Sequence, residues 1–160
     1  MRAMTEALSS ITTDQVKEYV TVSLADQQFG IPILAVHDIL NEQRMTKVAL
    51  AAGEVSGVMN IRGRIVTAID LRRIMGLADR QEGQSSMNVV VHFRGEPYAL
   101  VVDAVGEVKG MAASAYERNP SNMDQAWAAL SQGVYRLDSG LVVILDVERI
   151  IGGLLAEKAA

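Results

Sequence analysis

Hydrophobic and polar residues follow their clearest pattern between residues 57 and 76, where the chain reads GVMNIRGRIVTAIDLRRIMG. Apolar positions lie on both sides of a short polar segment, NIRG, at residues 60–63. Two such runs joined by a glycine-containing segment predict a β-hairpin. The residues that follow Asp70 continue with a spacing that predicts one short helical turn.

This pattern occurs a second time at an offset of 76 residues (133 − 57). Residues 133–152 read GVYRLDSGLVVILDVERIIG, and seven positions are identical in the two segments. A second offset, of 69 residues (98 − 29), relates residues 29–39 to residues 98–108. The sequence therefore predicts an internal repeat of two strand-rich units.

The remaining segments complete the predicted repeat. Residues 19–33 alternate and are rich in β-branched side chains, which predicts two strands with a turn between them. The apolar spacing of LAVHDIL, residues 34–40, predicts one or two helical turns. Four further segments are predicted as follows: a flexible arm at 1–18, a strand pair at 88–108, a long loop with one helical turn at 110–132, and a short terminal helix before a tail at 156–160.

Each repeat of roughly 65 residues is too small to bury much apolar surface alone, so we expect the two to share a core. Short strands of this kind suit small β-barrels, since closure of a sheet removes its exposed edges. We predict an all-β fold with short helices, in which residues 19–83 form a first barrel and residues 84–155 form a second barrel with the C-terminal helix.

Composition narrows the possible functions. The chain has 160 residues, 49% of them hydrophobic, a net charge of −4, 4% aromatic residues and no cysteine. A negative charge with few aromatic residues disfavours nucleic-acid binding, and the lack of cysteine excludes disulfides and thiolate metal sites. No apolar run approaches the roughly 18 residues of a membrane span, so we expect a cytoplasmic protein without membrane insertion.

Few residues suggest catalysis. Asp70 and its repeat partner Asp146 invite comparison with the aspartic proteases, in which two related halves each contribute one catalytic carboxylate. The residues that follow the two aspartates here do not fit the pattern of those enzymes. We expect each to cap a helical turn, a contribution near 1 kcal/mol. His37 and His92 have no metal-ligand spacing. We therefore predict no catalytic residue, no metal and no cofactor.

Differences between the repeats are informative, because the fold should require the same residues in both copies. Asn60, Arg62 and Gly63 are replaced in the second copy. Gly63 allows the positive φ that a tight turn needs, so we assign Asn60 and Gly63 a structural role in the turn. Arg62 has no such explanation, and arginine is frequent among the residues that dominate protein interfaces.

With these residues identified, the sequence resembles the CheW family of chemotaxis coupling proteins. The resemblance covers residues 20–151 and rests on four segments: IPI-x-x-V-x-D-I-L at 31–40, G-V-x-N-x-R-G-x-x-V-x-x-x-D-L-R at 57–72, G-x-x-x-x-L-V-V-D-x-V-x-E-V at 95–108, and the closing L-D-V-E-R-I-I. It implies two SH3-like five-stranded β-barrels, which agrees with the repeat.

The resemblance also implies a function. The protein would be a non-enzymatic adaptor that joins the regulatory domain of the chemotaxis histidine kinase to the cytoplasmic tip of methyl-accepting chemoreceptors, recruited from the cytoplasm to membrane-associated receptor arrays. By this resemblance, the positions that would contact the receptor are Val36, Asp38, Ile39 and Arg62. Those that would serve kinase binding or coupling are Gly57 and Val58. Two alternatives stay open at this point, a CheW-like regulatory module of a divergent kinase pathway outside motility and a hydrolase that uses both aspartates.

Overall fold

Eleven strands and three α-helices form the part of the chain that the computed structural model describes, residues 15–47 and 53–159. The strands are β1 (Val16–Leu24), β2 (Gln27–Pro32), β3 (Val36–Asn41), β4 (Val55–Ile61), β5 (Arg64–Asp70), β6 (Met87–Phe93), β7 (Glu96–Val102), β8 (Ala104–Ala112), β9 (Tyr116–Glu117), β10 (Ser131–Leu137) and β11 (Gly140–Leu145). The helices are α1 (Leu71–Ile74), α2 (Gln125–Leu130) and α3 (Val147–Ala159), and short 3-10 turns precede β3 and β9. None of the helices described is both long and apolar enough to span a bilayer.

The strands form two sheets. The first has the order β8-β1-β2-β11-β10-β9, and the second has the order β3-β6-β7-β5-β4. This mostly β fold, with short helices and two SH3-like sheets, confirms the predicted fold class. The second sheet has the five strands expected, while the first gains a sixth because the two residues of β9 pair with β10.

The two repeats exchange strands. The first repeat contributes β1 and β2 to the first sheet but β3, β4 and β5 to the second. The second repeat contributes β6 and β7 to the second sheet and its later strands to the first. Parallel pairing joins the copies, since β2 pairs with β11 and β5 pairs with β7.

This arrangement differs from the predicted division into barrels of residues 19–83 and 84–155. The second sheet is continuous in sequence, from β3 to β7, and is inserted between β2 and β8 of the first sheet. The boundary at residue 83 cuts through the second sheet. The repeat was visible in the sequence, but the partner of each strand was decided by long-range pairing.

One hydrophobic core is shared by both sheets, as predicted. Phe29 of β2 and Leu145 of β11 come from the first sheet, Ile69 and Leu100 come from the second, and all four are fully buried. Ile150 of α3 belongs to the same cluster. Each sheet therefore buries one face against the other sheet. This packing removes apolar surface from water and so stabilises the fold.

Three local predictions need correction. Residues 36–41 form a strand rather than helical turns, because β3 pairs with β6 along its length. The predicted arm overlaps β1, which begins at Val16 and pairs with β8; residues 1–14 of that arm lie outside the described residues. The terminal helix runs through Gly152-Gly153 to Ala159 and is longer than expected.

Candidate functional site

The turn between β4 and β5 has a defined conformation. Arg62 and Gly63 have φ values of 51° and 84°, and the amide of Gly63 donates a hydrogen bond of 2.9 Å to the side-chain oxygen of Asn60. Two consecutive residues with positive φ are typical of the tight turns that suit twisted hairpins. Asn60 and Gly63 therefore hold the turn, and Arg62 adopts a conformation that is unusual for a residue other than glycine.

The side chain of Arg62 reaches the opposite edge of the second sheet. Its Nη2 atom lies 3.2 Å from Oδ2 of Asp38 in β3, and 78% of the Arg62 side chain is exposed. β3 is one outer strand of this sheet, and the turn of Arg62 follows the other outer strand, β4, so the ion pair links two segments at opposite edges. The other Asp38 oxygen accepts a bond from the amide of Ile39, which fixes the carboxylate.

The predicted receptor-binding residues occupy different environments. A cavity of about 130 Å³ is lined by Asp38 and Arg62, together with His37 and His92. Ile39 is exposed at the surface, whereas Val36 is half-buried and packs against the shared core. Of the four residues, Asp38 and Arg62 are brought into direct contact, and Val36 contributes to packing.

The two histidines lie beside this ion pair, although they are distant in sequence. The rings of His37 and His92 stack with their centroids 4.0 Å apart. Partial burial and the neighbouring charges of His37 and Arg64 lower the pKa of His92. Within the described residues no group of three or more potential metal ligands includes them.

Gly57 has a structural explanation in the fold. Its φ is 154°, and a Cβ atom there would collide with the carbonyl oxygen of Thr46, which forms a β-bridge with Val58. The repeat partner Gly133 also has a positive φ and a close neighbour, the ring of Tyr116. Because the requirement appears in both copies, Gly57 is explained by close backbone approach, and Val58 is half-buried in the adjacent position.

An exposed apolar groove was missed by the sequence analysis. We call it the apolar groove; it has a volume of about 440 Å³ and is lined by Val16, Pro32, Ile33 and Leu34, with Lys17, Glu18 and Tyr19. Leu34 is 99% exposed and Val16 is 62% exposed. The sequence analysis had assigned Val16 to an arm and Leu34 to a helix, so their proximity could not be anticipated.

A buried ion network lies where the two sheets meet; it consists of Asp70, Arg72, Arg80 and Asp103. Asp103 accepts a hydrogen bond of 2.8 Å from Nε of Arg72, and Nε of Arg80 lies 2.8 Å from the same carboxylate. Arg80 also contacts Asp70 at 3.2 Å. Arg72, Arg80 and Asp70 are almost fully buried.

Asp103 connects this network to the first sheet, because its second oxygen accepts a hydrogen bond of 2.8 Å from the amide of Ala25 in the turn after β1. Burial alone would raise the pKa of Asp103. The hydrogen bonds from Arg72 and Ala25 and the charges of Arg80 and Arg72 outweigh burial, so this pKa lies below its ordinary value.

Both candidate catalytic aspartates act as helix caps. Asp70 accepts a bond from the amide of Arg72 at the start of α1, and Asp146 accepts one from the amide of Arg149 at the start of α3. Asp146 also forms an ion pair with the largely exposed side chain of Arg149. The two carboxylates are thus engaged in separate structural roles.

These environments predict unequal effects of two matched substitutions. Asp70→Asn keeps a capping group but removes one charge from a buried pair, and we expect a loss of about 2 to 3 kcal/mol in the free energy of unfolding. Asp146→Asn keeps its cap and loses an exposed pair, so we expect less than about 1 kcal/mol. Urea unfolding of both variants measures the difference, and equal losses would show that the Asp70–Arg80 contact contributes nothing.

Comparison with known proteins identifies similar chains. Residues 18–154 match the family described as CheW-like domain. The chain is 25% identical to the chemotaxis protein CheW of Klebsiella aerogenes over 84% of this chain and 81% of that protein. It is 24% identical to the chemotaxis protein CheW of Thermotoga maritima over 86% and 91% of the two chains. The crystal structure of the scaffolding protein TtCheW from Thermoanaerobacter tengcongensis is similar with a TM-score of 0.75, at 28% identity, over 84% of this chain and 92% of that one.

Proposed function

The chain belongs to the CheW-like domain family, and on this premise we propose that it is a non-enzymatic adaptor that couples chemoreceptors to the chemotaxis histidine kinase. It would join the cytoplasmic tip of the receptors to the regulatory domain of the kinase and would be recruited from the cytoplasm to membrane-associated arrays. The relatives reported above are named chemotaxis or scaffolding proteins, which favours this function over a kinase pathway outside motility. The engagement of Asp70 and Asp146 as caps supports a role without catalysis.

The proposed receptor site is based mainly on the exposed ion pair between Arg62 and Asp38. Arg62 lies on a rigid hairpin tip, so it loses less freedom on binding than an arginine on a long loop. Its planar guanidinium can bind a partner carboxylate or backbone carbonyl while Asp38 fixes its direction. In the second repeat the corresponding residues are Asp138 and Glu107, so the pair is not a requirement of the fold.

The apolar groove extends the proposed receptor site. Leu34 is fully exposed on the 3-10 turn that leads directly into β3, the strand that carries Asp38 and Ile39. A partner helix needs an apolar contact area as well as polar anchors. We therefore propose that the apolar groove and Ile39 make the apolar contacts with the partner. Arg62 would orient the partner.

Kinase binding is proposed at the edge of the second sheet formed by β4, where Gly57 and Val58 lie. Gly57 would act there through the backbone, because it has no side chain and lies buried next to Thr46. A larger residue at position 57 would displace the bridge between Thr46 and Val58. Coupling defects caused by such a substitution would follow from a change in the shape of this edge.

Substitution of Arg62 by alanine tests the receptor site. We expect Arg62→Ala to weaken binding to receptor-bearing membranes by roughly 2 kcal/mol or more, the range of an interface hot spot. The melting temperature should change little, because an exposed ion pair contributes less than about 1 kcal/mol to folding. Co-sedimentation with receptor-bearing membranes, with and without the kinase, measures both interactions, and kinase binding should be retained.

Arg94→Ala is the matched control. Arg94 occupies the turn between β6 and β7 with the same φ of 51° and is also followed by glycine. Any effect of alanine on the turn conformation should thus be equal in the two variants. If Arg62→Ala lowers stability more than Arg94→Ala and leaves receptor binding intact, Arg62 is a structural brace and the proposed site is wrong.

A further inference from the structure

Three of the four tyrosines gather at one end of the first sheet. The rings of Tyr19 and Tyr135 have centroids 5.3 Å apart, and the ring of Tyr116 lies edge-on to Tyr135 at 5.6 Å. The hydroxyl of Tyr116 donates to the carbonyl of Gln132 at 2.8 Å, which fixes this ring. Tyr19 and Tyr135 belong to a small apolar cluster inside the first sheet, apart from the core shared with the second sheet, and Tyr116 lies beside them partly exposed.

The hydroxyls of Tyr19 and Tyr135 lie 3.0 Å apart, and both residues are at least 95% buried. A pair of hydroxyls has two protons, and their mutual hydrogen bond uses one. Among the described residues neither hydroxyl has a second hydrogen-bond partner. Burial, together with the hydrogen bond to Tyr135, raises the pKa of Tyr19. The pair therefore offers one buried donor.

This donor faces a cavity of about 320 Å³ at the end of the sheet. All three tyrosines line the cavity, and Lys17 is the one charged residue among its lining residues. Gly133 lies against the ring of Tyr116, so a side chain at that position would push the ring out of its place in the wall. The lining combines the polar side chains of Gln15, Lys17 and Gln132 with the tyrosine rings and Ile144. Concave sites with convergent polar groups are typical of small-molecule binding, and the mouths of β-barrels are a common location.

The second sheet shows that the fold does not require this cluster. At the offsets of the repeat, Tyr19 corresponds to Asn88 and Tyr135 corresponds to Met59. Asn88 donates instead to the carbonyl of Asn41, and Met59 fills the inside of the second sheet with other apolar residues. A feature that occurs in one sheet alone fits a binding role better than a structural one.

We propose that the cavity binds a small organic carboxylate. The spare hydroxyl proton supplies a hydrogen-bond donor to an oxygen of the ligand, and Lys17 supplies a positive charge. The tyrosine rings supply an apolar wall for the body of the ligand. The cavity shares Lys17 and Tyr19 with the apolar groove of the proposed receptor site. The proposal itself does not depend on the adaptor function.

Titration of the full-length protein with benzoate tests the site, with tyrosine ring signals followed by carbon-detected NMR. We expect saturable shifts of Tyr19, Tyr116 and Tyr135. Either hydroxyl alone can still donate, so the single variant Tyr135→Phe should change benzoate binding little, whereas Tyr19→Phe combined with Tyr135→Phe removes the donor and should weaken binding about tenfold, the effect of one hydrogen bond to a charged acceptor. Lys17→Met should weaken it about threefold, because this charge is exposed.

Tyr98→Phe is the matched control, since Tyr98 lies in β7 of the other sheet and binding should be unchanged. Benzylamine, which has a similar shape and the opposite charge, should not bind. Absence of saturable shifts with benzoate would overturn the proposal. Equal binding of benzylamine, or an equal loss in Tyr98→Phe and in the double variant of Tyr19→Phe with Tyr135→Phe, would also overturn it.

Discussion

Expressed as separate chains, residues 1–81 and residues 82–160 are expected to remain unfolded. Each fragment would hold strands of both sheets and complete neither, because β2 would lack β11 and β5 would lack β7. The shared core would also be divided, and its apolar residues would be exposed to water. Circular dichroism and amide exchange should show no cooperative transition for either fragment, whereas a mixture of the two should recover one.

A third fragment distinguishes two reasons why the halves depend on each other, the exchange of strands and the shared core. Residues 33–103 keep every strand pair of the second sheet, because that sheet is continuous in sequence. They lack the first sheet and α3, which cover the inner face of the second sheet. We expect no cooperative transition here either, since an uncovered apolar face cannot offset the loss of chain entropy. Cooperative melting of this fragment alone would show that strand exchange, rather than the shared core, makes the halves dependent on each other.

The sequence allowed the repeat to be recognised but not the exchange of strands between sheets. Alternating apolar residues specify which face of a strand is buried, and this requirement is the same whichever strand lies beside it. The parallel contacts of β2 with β11 and of β5 with β7 join residues far apart in the chain. No local signal in either strand distinguishes these partners from those within the same repeat.

The candidate site was predictable where a local pattern was sufficient. The difference between the repeats identified Arg62, and the structure places its guanidinium 3.2 Å from the carboxylate of Asp38. Prediction failed for Leu34, whose exposure depends on a short 3-10 turn that apolar spacing did not distinguish from a longer helix. It failed also for the stacked histidines, because they become neighbours only when β3 pairs with β6.

The buried ion network was missed for a different reason. Arg72 lies in the predicted helical turn after Asp70 and Asp103 lies in the predicted strand pair at 88–108, and charged side chains are usually solvated. Comparison of the repeats contained a signal, because Arg72 corresponds to Glu148 and Asp103 corresponds to Leu34. The rule that identified Arg62 could thus have identified these residues, although it could not have shown that they meet at the junction of the sheets.

Asp103→Asn is expected to cause the largest loss of stability among the single substitutions considered. The change removes the carboxylate that two nearly buried guanidinium groups share and leaves Asp70 as their nearest counter-charge. Loss of one partner of a buried ion pair typically costs about 3 to 5 kcal/mol, and the partial exposure of Asp103 favours the lower value, about 3 kcal/mol. Urea unfolding at neutral pH measures this loss.

Asp79→Asn is the control, because Asp79 pairs with Arg73 beside the same helix but both side chains are exposed. We expect a loss below about 1 kcal/mol for this variant. If the two variants lose equal stability, the network at the junction is no stronger than a surface ion pair.

Acidification gives an independent test of the same network. The pKa of Asp103 in the folded protein lies below its ordinary value, so its contribution is present in full above the unfolded value of about 3.9. The contribution is lost as pH falls through the folded-state pKa, where the carboxylate takes up a proton and resembles the asparagine side chain. The stability difference between the unmodified protein and Asp103→Asn should therefore be constant from neutral pH to about pH 5 and should shrink at lower pH. A difference that persists unchanged into strong acid would mean that the substituted amide perturbs packing and that the charge of Asp103 does not hold the two sheets together.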